Sequence, residues 1–84
     1  MSRSAELGKL FGGRLRDLRV ARHLTQESLA ERAGLPQTHI SAMERGIKLP
    51  NLVTLLRLAV ALDCKVAKLV GVFDEAHLSS ILSE

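Results

Sequence analysis

Aromatic residues are nearly absent from this chain: its 84 residues include two phenylalanines, no tryptophan and no tyrosine. The core must therefore be assembled from Leu, Ile, Val and Ala side chains, which bury less surface per residue than aromatic rings. The chain is too short to hold two separate cores. We expect one domain over residues 1–84, of limited stability, for which burial against a second copy is favourable.

Cysteine and long apolar runs are also scarce. The single cysteine, Cys64, excludes an internal disulfide bond and is typical of a reducing compartment. No apolar run approaches the roughly 18 residues of a membrane helix, and the first residues lack the apolar core of a signal peptide. We therefore expect a cytoplasmic protein without a membrane span.

Residue patterns typical of catalysis are missing as well. The histidines lie far apart in the sequence and show no metal-ligand spacing with the cysteine or the carboxylates. They are His23, His39 and His77. No glycine-rich phosphate loop, nucleophile elbow or cysteine pair is present. We expect no enzyme, no metal and no cofactor, and we interpret the histidines as surface residues.

Positive charge is concentrated in the first three quarters of the chain. Residues 1–62 hold ten Lys and Arg against five Asp and Glu, a balance of +5. Residues 63–84 hold two against four, a balance of −2, which gives the net charge of +3. A basic surface of this kind is either an ordinary solvated face or a site for phosphate groups.

Residues 24–46, LTQESLAERAGLPQTHISAMERG, show the pattern of two short helices joined by a tight turn. In a helix-turn-helix, spaced apolar residues lock the helices together, a small residue lies where they cross, and glycine permits the left-handed turn. Ala30 is the small residue at the crossing point, and Gly34 is the glycine of the turn. All five apolar positions are filled, by Leu29, Ala33, Leu35, Ile40 and Met43. Such a unit presents its second helix to DNA.

Apolar residues recur at helical spacing along the whole chain, without convincing strand alternation. The predicted helices run from about Gly12 to Arg22, from a cap at Thr25, from Gln37 to Arg45, from a cap at Asn51 through Leu52 to Leu62, and from Val66 to Gly71. We expect a polar arm over residues 1–8, a core over residues 11–70 and an extra short helix over residues 74–83, capped by Asp74.

The fourth predicted helix carries more apolar residues than one buried stripe needs. Its expected inward set comprises Leu52, Leu55, Leu56, Ala59 and Leu62. Val53 and Val60 lie off that stripe. Part of this helix is therefore expected to face a partner.

The stretch LTQESLAERAGLPQTHISAMERGIKLPNLVTLLRLAVAL resembles the helix-turn-helix family of phage Cro and CI repressors, the Xre family. The resemblance covers about residues 11–70. Its specific pieces are Leu-Thr-Gln, Ala-Gly, Ile-Ser, Glu-Arg-Gly and Leu-Pro-Asn. It implies an all-α, five-helix, lambda-repressor-like DNA-binding domain, here with one extra C-terminal helix. It also implies a homodimer on a palindromic operator, in a bacterial or phage setting associated with the nucleoid.

The resemblance implies that Gln37, Thr38, Ser41 and Ala42 contact DNA bases. Their chemistry agrees, because glutamine pairs bidentately with adenine, threonine donates or accepts, and alanine contacts a thymine methyl group. His39 lies on the adjoining side of the helix, within reach of a base or a phosphate. The alternative for each residue is an exposed position without a ligand.

Phosphate contacts are expected from Gln26 at the start of the second helix, Arg45 at the end of the third, and Lys48 in the following loop. A helix start offers free N–H groups to a phosphate. Arg14 and Arg16 on the first helix are further candidates, although surface arginines are often simply solvated.

Two positions depart from the family pattern. Pro36 stands where many members have Ser or Thr, so a hydroxyl cap and a possible phosphate contact are lost, while its fixed backbone suits a first helical turn. Ala42 stands where many members carry arginine. The strongest guanine reader is then absent, and specificity rests on fewer contacts together with DNA shape.

The resemblance further implies a largely buried ion pair between Arg19 and Glu44. Such a pair would orient the third helix against the first and would be structural. Removing one partner would leave a buried charge, so we expect Glu44→Ala to abolish DNA binding through unfolding.

The leading hypothesis is a dimeric, sequence-specific transcription regulator, with restriction-modification controllers as one plausible subclass. The expected two-fold contact comes from Val66, Leu69, Val70, Phe73 and Leu78. One alternative is an antitoxin whose segment 66–82 covers a toxin. Another is a helical adaptor without specific DNA binding. The sequence leaves open whether the last helix packs on its own subunit or across the dimer.

Overall fold

The computed structural model of the chain describes residues 3–74, 76, 77 and 79. Across these residues it contains no strand, and its five α-helices are α1 (Arg3–Ala21), α2 (Gln26–Ala33), α3 (Gln37–Glu44), α4 (Leu52–Ala61) and α5 (Val66–Val70). The all-α, five-helix prediction is therefore confirmed. The helix predicted over residues 74–83 falls largely outside the described residues, but its cap is present: the Asp74 carboxylate accepts the His77 N–H at 3.0 Å.

The first helix begins earlier than the sequence predicts. In place of a polar arm over residues 1–8, α1 starts at Arg3 and runs for 19 residues. The adjacent Gly12 and Gly13 favoured a helix start near that point, because glycine costs about 1 kcal/mol in a helix interior. That cost is overcome here by a contact that only glycine permits.

Glycines on α1 let its backbone touch the C-terminal end of α3 directly. A Cβ atom on Gly12 would overlap the carbonyl oxygen of Met43 and lie 2.8 Å from that of Glu44. A Cβ on Gly8 would lie 2.5 Å from the carbonyl oxygen of Gly46. Because these two glycines are four residues apart, they share one face of α1. They fix the distance between the first helix and the third.

The core is aliphatic, as the shortage of aromatic residues requires. The apolar positions of the helix-turn-helix pattern are buried, except that Leu35 is only partly covered. The largest fully buried side chains are Phe11, Leu15, Leu29, Ile40, Met43, Leu58, Leu62 and Leu69. Every helix contributes to this set, so the five helices share one core.

The inward face of α4 differs from the predicted one. Leu52 and Leu56 are exposed, whereas Leu58 and Ala61 are buried. The true inward stripe starts at Leu55, which is partly buried, and continues at spacings of three and four residues. The helix is so rich in leucine and valine that both registers satisfy helical periodicity. Contacts with α2 and α5 select one of them.

Two helix starts are capped as predicted. The Thr25 hydroxyl accepts the Ser28 N–H at 3.0 Å, and the Ser28 hydroxyl accepts the Thr25 N–H at 2.9 Å, which completes a capping box at α2. The Asn51 side chain accepts the Thr54 N–H at 2.8 Å at α4. These bonds satisfy backbone donors that have no partner inside the helix.

An ion pair joins α1 to the end of α3. The Arg19 guanidinium donates to both carboxylate oxygens of Glu44, at 2.6 and 2.9 Å, and to the carbonyl oxygen of Leu24 at 2.8 Å. The side chains are only 13% and 5% exposed. The hydrogen bond to Glu44 raises the pKa of Arg19 above its ordinary value. This bidentate geometry fixes the orientation of both side chains.

Replacing Gly12 with alanine should destabilise the fold, because the new methyl group would overlap backbone that has no alternative position. We expect Gly12→Ala to lower the free energy of unfolding by about 1–3 kcal/mol. Gly13 is the matched control, since nothing lies within 4 Å of a Cβ built there. Gly13→Ala should raise the free energy of unfolding by about 0.5–1 kcal/mol. Urea denaturation measures both, and equal effects at the two sites would contradict this packing.

Removing the Glu44 carboxylate should cost more. Glu44→Ala would leave the Arg19 guanidinium without its partner in a mostly buried place, and we expect a loss of about 3–5 kcal/mol of unfolding free energy. Glu31→Ala, at an exposed glutamate of α2, should stay within about 0.5 kcal/mol of the parent. A Glu44→Ala protein with the parent's urea midpoint would show that the pair does not stabilise the fold.

Candidate nucleic-acid interface

The turn between α2 and α3 is set by glycine. Gly34 adopts a left-handed backbone with φ of 67°. The N–H of Leu35 then donates to the carbonyl oxygen of Ala30 at 2.9 Å, which closes the end of α2. Pro36 follows in an extended conformation as the N-cap of α3, without a side-chain cap. The two helices are therefore joined by a three-residue turn, and α3 packs against α2.

One side of α3 is free of the core. Ile40 and Met43 are buried on the opposite side. At about 100° per residue, the outward residues span an arc of about 140°. They are Gln37, Thr38, Ser41, Ala42 and Arg45, all exposed or partly exposed. This outward set, called here the α3 face, contains every residue assigned to base contact from the sequence except His39, which lies partly buried at its edge.

The first residue of the α3 face is held by a chain of side-chain hydrogen bonds. Gln37 Nε2 donates to Gln26 Oε1 at 2.8 Å, and Gln26 Nε2 donates to Glu44 Oε1 at 3.2 Å. Arg19 holds Glu44 from the other side. The chain leaves Gln37 Oε1 and one of its N–H groups unused, which are the two groups that adenine pairs with. Gln26 was expected only at a phosphate, so this positioning contact adds to its role.

The charge around the α3 face differs between its two ends. Arg45 and Lys48 are exposed, and the only carboxylate on α3, that of Glu44, is paired with Arg19. The depression at the start of α2 is lined by Gln26 and Gln37 together with one acidic side chain, Glu27. The surface beside the first turn of α3 is therefore mixed, and the surface beside its last turn is basic.

The two arginines expected on α1 lie in different surroundings. Arg14 is about 160° around the helix from Gly12, which faces α3. Its Nη2 would lie 3.9 Å from a Cβ on Gly71, at the end of α5, and its Nε is buried without a hydrogen-bond partner. Arg14 therefore turns away from the α3 face, and these surroundings give no support to the predicted phosphate contact. Arg16 is exposed, about 40° from Gly12, on the flank nearer α3.

Lys9 was missed by the sequence reasoning. It is exposed, and its backbone and Cγ would lie 3.0–3.1 Å from a Cβ on Gly46, in the turn that follows Arg45. The assignment of residues 1–8 to an arm hid this position, because Lys9 then preceded the first helix. The signal that reveals it is the four-residue spacing of Gly8 and Gly12, which places the neighbouring lysine beside the end of α3.

The predicted two-fold contact on α5 is only partly available. Leu69 is fully buried in the core of its own chain and therefore offers no exposed surface to the predicted dimer contact. Val66 and Phe73 pack in part against the same core, and Val70 is partly buried. Leu78 lies outside the described residues. The reason is that α5 closes the core between α1 and α4.

The described residues offer little support for a metal site, a reactive thiol or a membrane-spanning helix. Among the described residues, no three His, Cys, Asp or Glu side chains gather as a metal site would require. Burial raises the pKa of the Cys64 thiol, which favours the protonated form. None of the five helices is both long and apolar enough to cross a membrane.

Comparison with known proteins gives concordant matches. A family model described as helix-turn-helix matches residues 15–69. An uncharacterised HTH-type transcriptional regulator of Sinorhizobium fredii, y4dJ, is 39% identical over 70 residues, which span 83% of this chain and 91% of the relative. The ImmF control region 10 kDa protein of Bacillus phage phi105 is 36% identical over 67 residues, spanning 77% of this chain and 74% of the relative.

A solved structure agrees with the sequence matches. The restriction-modification controller protein C.AhdI from Aeromonas hydrophila superposes with a TM-score of 0.73 at 45% sequence identity, over 77% of this chain and 97% of that one. Residues 15–69, which the family model matches, contain α2, the glycine turn and α3. Fold, exposed α3 face and relatives agree: the chain belongs to the helix-turn-helix family of Xre and Cro–CI-type DNA-binding transcription regulators.

Proposed function

We propose that this protein is a sequence-specific transcription regulator that binds a palindromic operator as a homodimer, with α3 in the major groove. The observation that carries the proposal is the α3 face, which is polar, free of unpaired carboxylates and flanked by cations. A single α-helix fits the width of the major groove. The relatives named above as regulators and controllers support the same activity.

Base reading falls mainly on Gln37 and Thr38 at the start of α3. Gln37 is held by Gln26, so less conformational entropy is lost when it pairs with an adenine. Ser41 and Ala42 lie one turn further along and would read smaller features, such as a thymine methyl group. His39 is the weakest candidate because it lies about 60° around the helix beyond Ala42, outside the arc of the face.

Phosphate contacts would frame these residues on two sides. Gln26 and the free N–H groups at the start of α2 serve one strand, and this contact must tolerate the nearby Glu27. Arg45 and Lys48 beside the last turn of α3 serve the other side, together with Lys9. Contacts of this kind set the orientation of the protein on the duplex and supply salt-dependent affinity without reading sequence.

The homodimer follows from how a small base-reading set reaches specificity. Two copies related by a two-fold axis would read two half-sites one helical turn apart, about 34 Å. Dimer formation depends on protein concentration, so the amount of this protein would itself control operator occupancy. The likeness to a restriction-modification controller makes that subclass a reasonable setting.

Selection of bound sequences from a random DNA pool should return a symmetric pair of half-sites with centres about 34 Å apart. Gln37→Ala should then weaken binding of the dimer to the selected site by about 2–6 kcal/mol, about 1–3 kcal/mol for each half-site, and relax the preference at one base pair of each half-site. Binding to unrelated DNA should hardly change. Selection of a single unpaired half-site, or of no consensus, would contradict the proposal.

The cations beside α3 should act through charge alone. Arg45→Ala and Lys48→Ala should each weaken binding to specific and unrelated DNA alike, and each should reduce the slope of log affinity against log salt by about 2, because the dimer loses one phosphate contact from each copy. Lys68→Ala is the matched control, because this exposed lysine lies on α5 and should leave the slope unchanged. Equal slopes for all three variants would show that Arg45 and Lys48 do not contact DNA phosphates.

A further inference from the structure

The outer side of α4 exposes four large aliphatic side chains. Leu52 is 68% exposed, Val53 60%, Leu56 48% and Val60 82%. They lie within an arc of about 100° of the helix and form one continuous strip, called here the α4 apolar face. Single exposed aliphatic residues are ordinary on protein surfaces, but a contiguous strip is typical of an interaction site.

We propose that the α4 apolar face is the dimer interface, and that its occupant is the same face of a second copy of this chain. The inference rests on the proposed function and replaces the contact expected from α5. Because Leu69 is enclosed in its own core, α5 has little apolar surface to offer a second copy. On α4, by contrast, Leu52 and Leu56 were expected in the core but are exposed. The exposed apolar surface that a dimer contact needs is therefore present on α4.

The spacing of the strip suits a two-fold contact. Leu52, Leu56 and Val60 are four residues apart and form one ridge along the helix. A two-fold axis passing near Leu56, with the helices antiparallel, brings Leu52 of each copy against Val60 of the other. Such self-complementarity is what an isologous interface requires, since the same patch must fit itself. An unrelated partner would place no such demand on the spacing.

The absence of charge on the strip is compatible with a second copy. Each chain carries a net charge of +3, so two copies repel each other at long range. The four residues of the α4 apolar face carry no charge, so the two-fold contact sets no charge against itself there. The shallow groove lined by Val53, Leu56 and Val60 of the face also has Arg32 and Arg57 on its wall, and Arg57 donates to the Ala33 carbonyl oxygen at 3.4 Å. Those cations lie at the rim, where water screens them.

The size of the face predicts a weak dimer. Four large side chains at these exposures fall within the roughly 300–600 Å² that the largest apolar patch of a typical monomer presents. Two such faces reach only the lower limit, of about 1,000 Å², for a specific interface. The protein should therefore pass from monomer to dimer within an accessible concentration range.

Sedimentation equilibrium of the full chain, without DNA, tests the interface. The parent should show a reversible monomer–dimer equilibrium, and Val60→Glu should raise the dimer dissociation constant by at least about tenfold, because two carboxylates would be buried in one contact. Val20→Glu is the matched control, since Val20 is a 53% exposed valine on α1, outside the face. It should leave the constant unchanged. Both valines are outside the core, and circular dichroism melting verifies that both variants fold.

A DNA measurement separates failure of the interface from failure of the proposed function. Val60→Glu should lose the added affinity for paired half-sites but bind a single half-site as tightly as Val20→Glu does. A parent protein that dimerises and is unaffected by Val60→Glu would overturn the α4 interface while leaving the regulator intact. A parent that remains monomeric at all concentrations and on paired half-sites would overturn it too. A parent without any sequence preference would overturn the proposed function instead.

Discussion

The Glu44 carboxylate accepts hydrogen bonds from two sides, and the relative placement of α1, α2 and α3 depends on these bonds. Arg19 holds it from α1 with two short hydrogen bonds, and Gln26 donates to it from α2. Since Glu44 is the last residue of α3, all three helices meet at one charged group. A mostly buried pair contributes little net stability when intact, but it costs several kcal/mol when broken. It therefore fixes one relative placement of the helices, and an apolar contact would be less selective.

The same carboxylate connects the fold to the residue that would read DNA. Gln26 bonds Glu44 through its amide N–H and receives Gln37 through its amide oxygen. The orientation of Gln37 therefore depends on the pairing of Glu44 with Arg19. The pairing has an electrostatic consequence as well. A free carboxylate on α3 would repel phosphates, whereas a neutralised one lets the basic residues beside it determine the local field.

Local rules were enough to predict the helix-turn-helix from the sequence. The turn at Gly34, the cap at Thr25 and the spacing of the buried residues all act within a few residues of one another. Predictions that depend on distant contacts were less successful. Gly12 marks a helix start by propensity, yet lies within a helix because α3 approaches it. Leu56 fits a buried stripe, yet is exposed because α2 and α5 cover other sides of α4. Periodicity shows which apolar residues share a side of a helix, but it does not show which side the neighbouring helices cover.

Recognition of one operator in a genome would require both the α3 face and the α4 apolar face. A genome offers on the order of 10⁶ or more competing sites, so discrimination of about 8 kcal/mol is needed before one operator is preferred. One half-site read by Gln37, Thr38 and smaller neighbours, without an arginine at Ala42, provides only a few kcal/mol, since a good bidentate pair contributes about 1–3 kcal/mol. Two half-sites double that discrimination only if the two copies are fixed relative to each other. If the exposed strip on α4 joins the two copies as proposed, it would contribute to sequence recognition as much as the residues that would touch the bases.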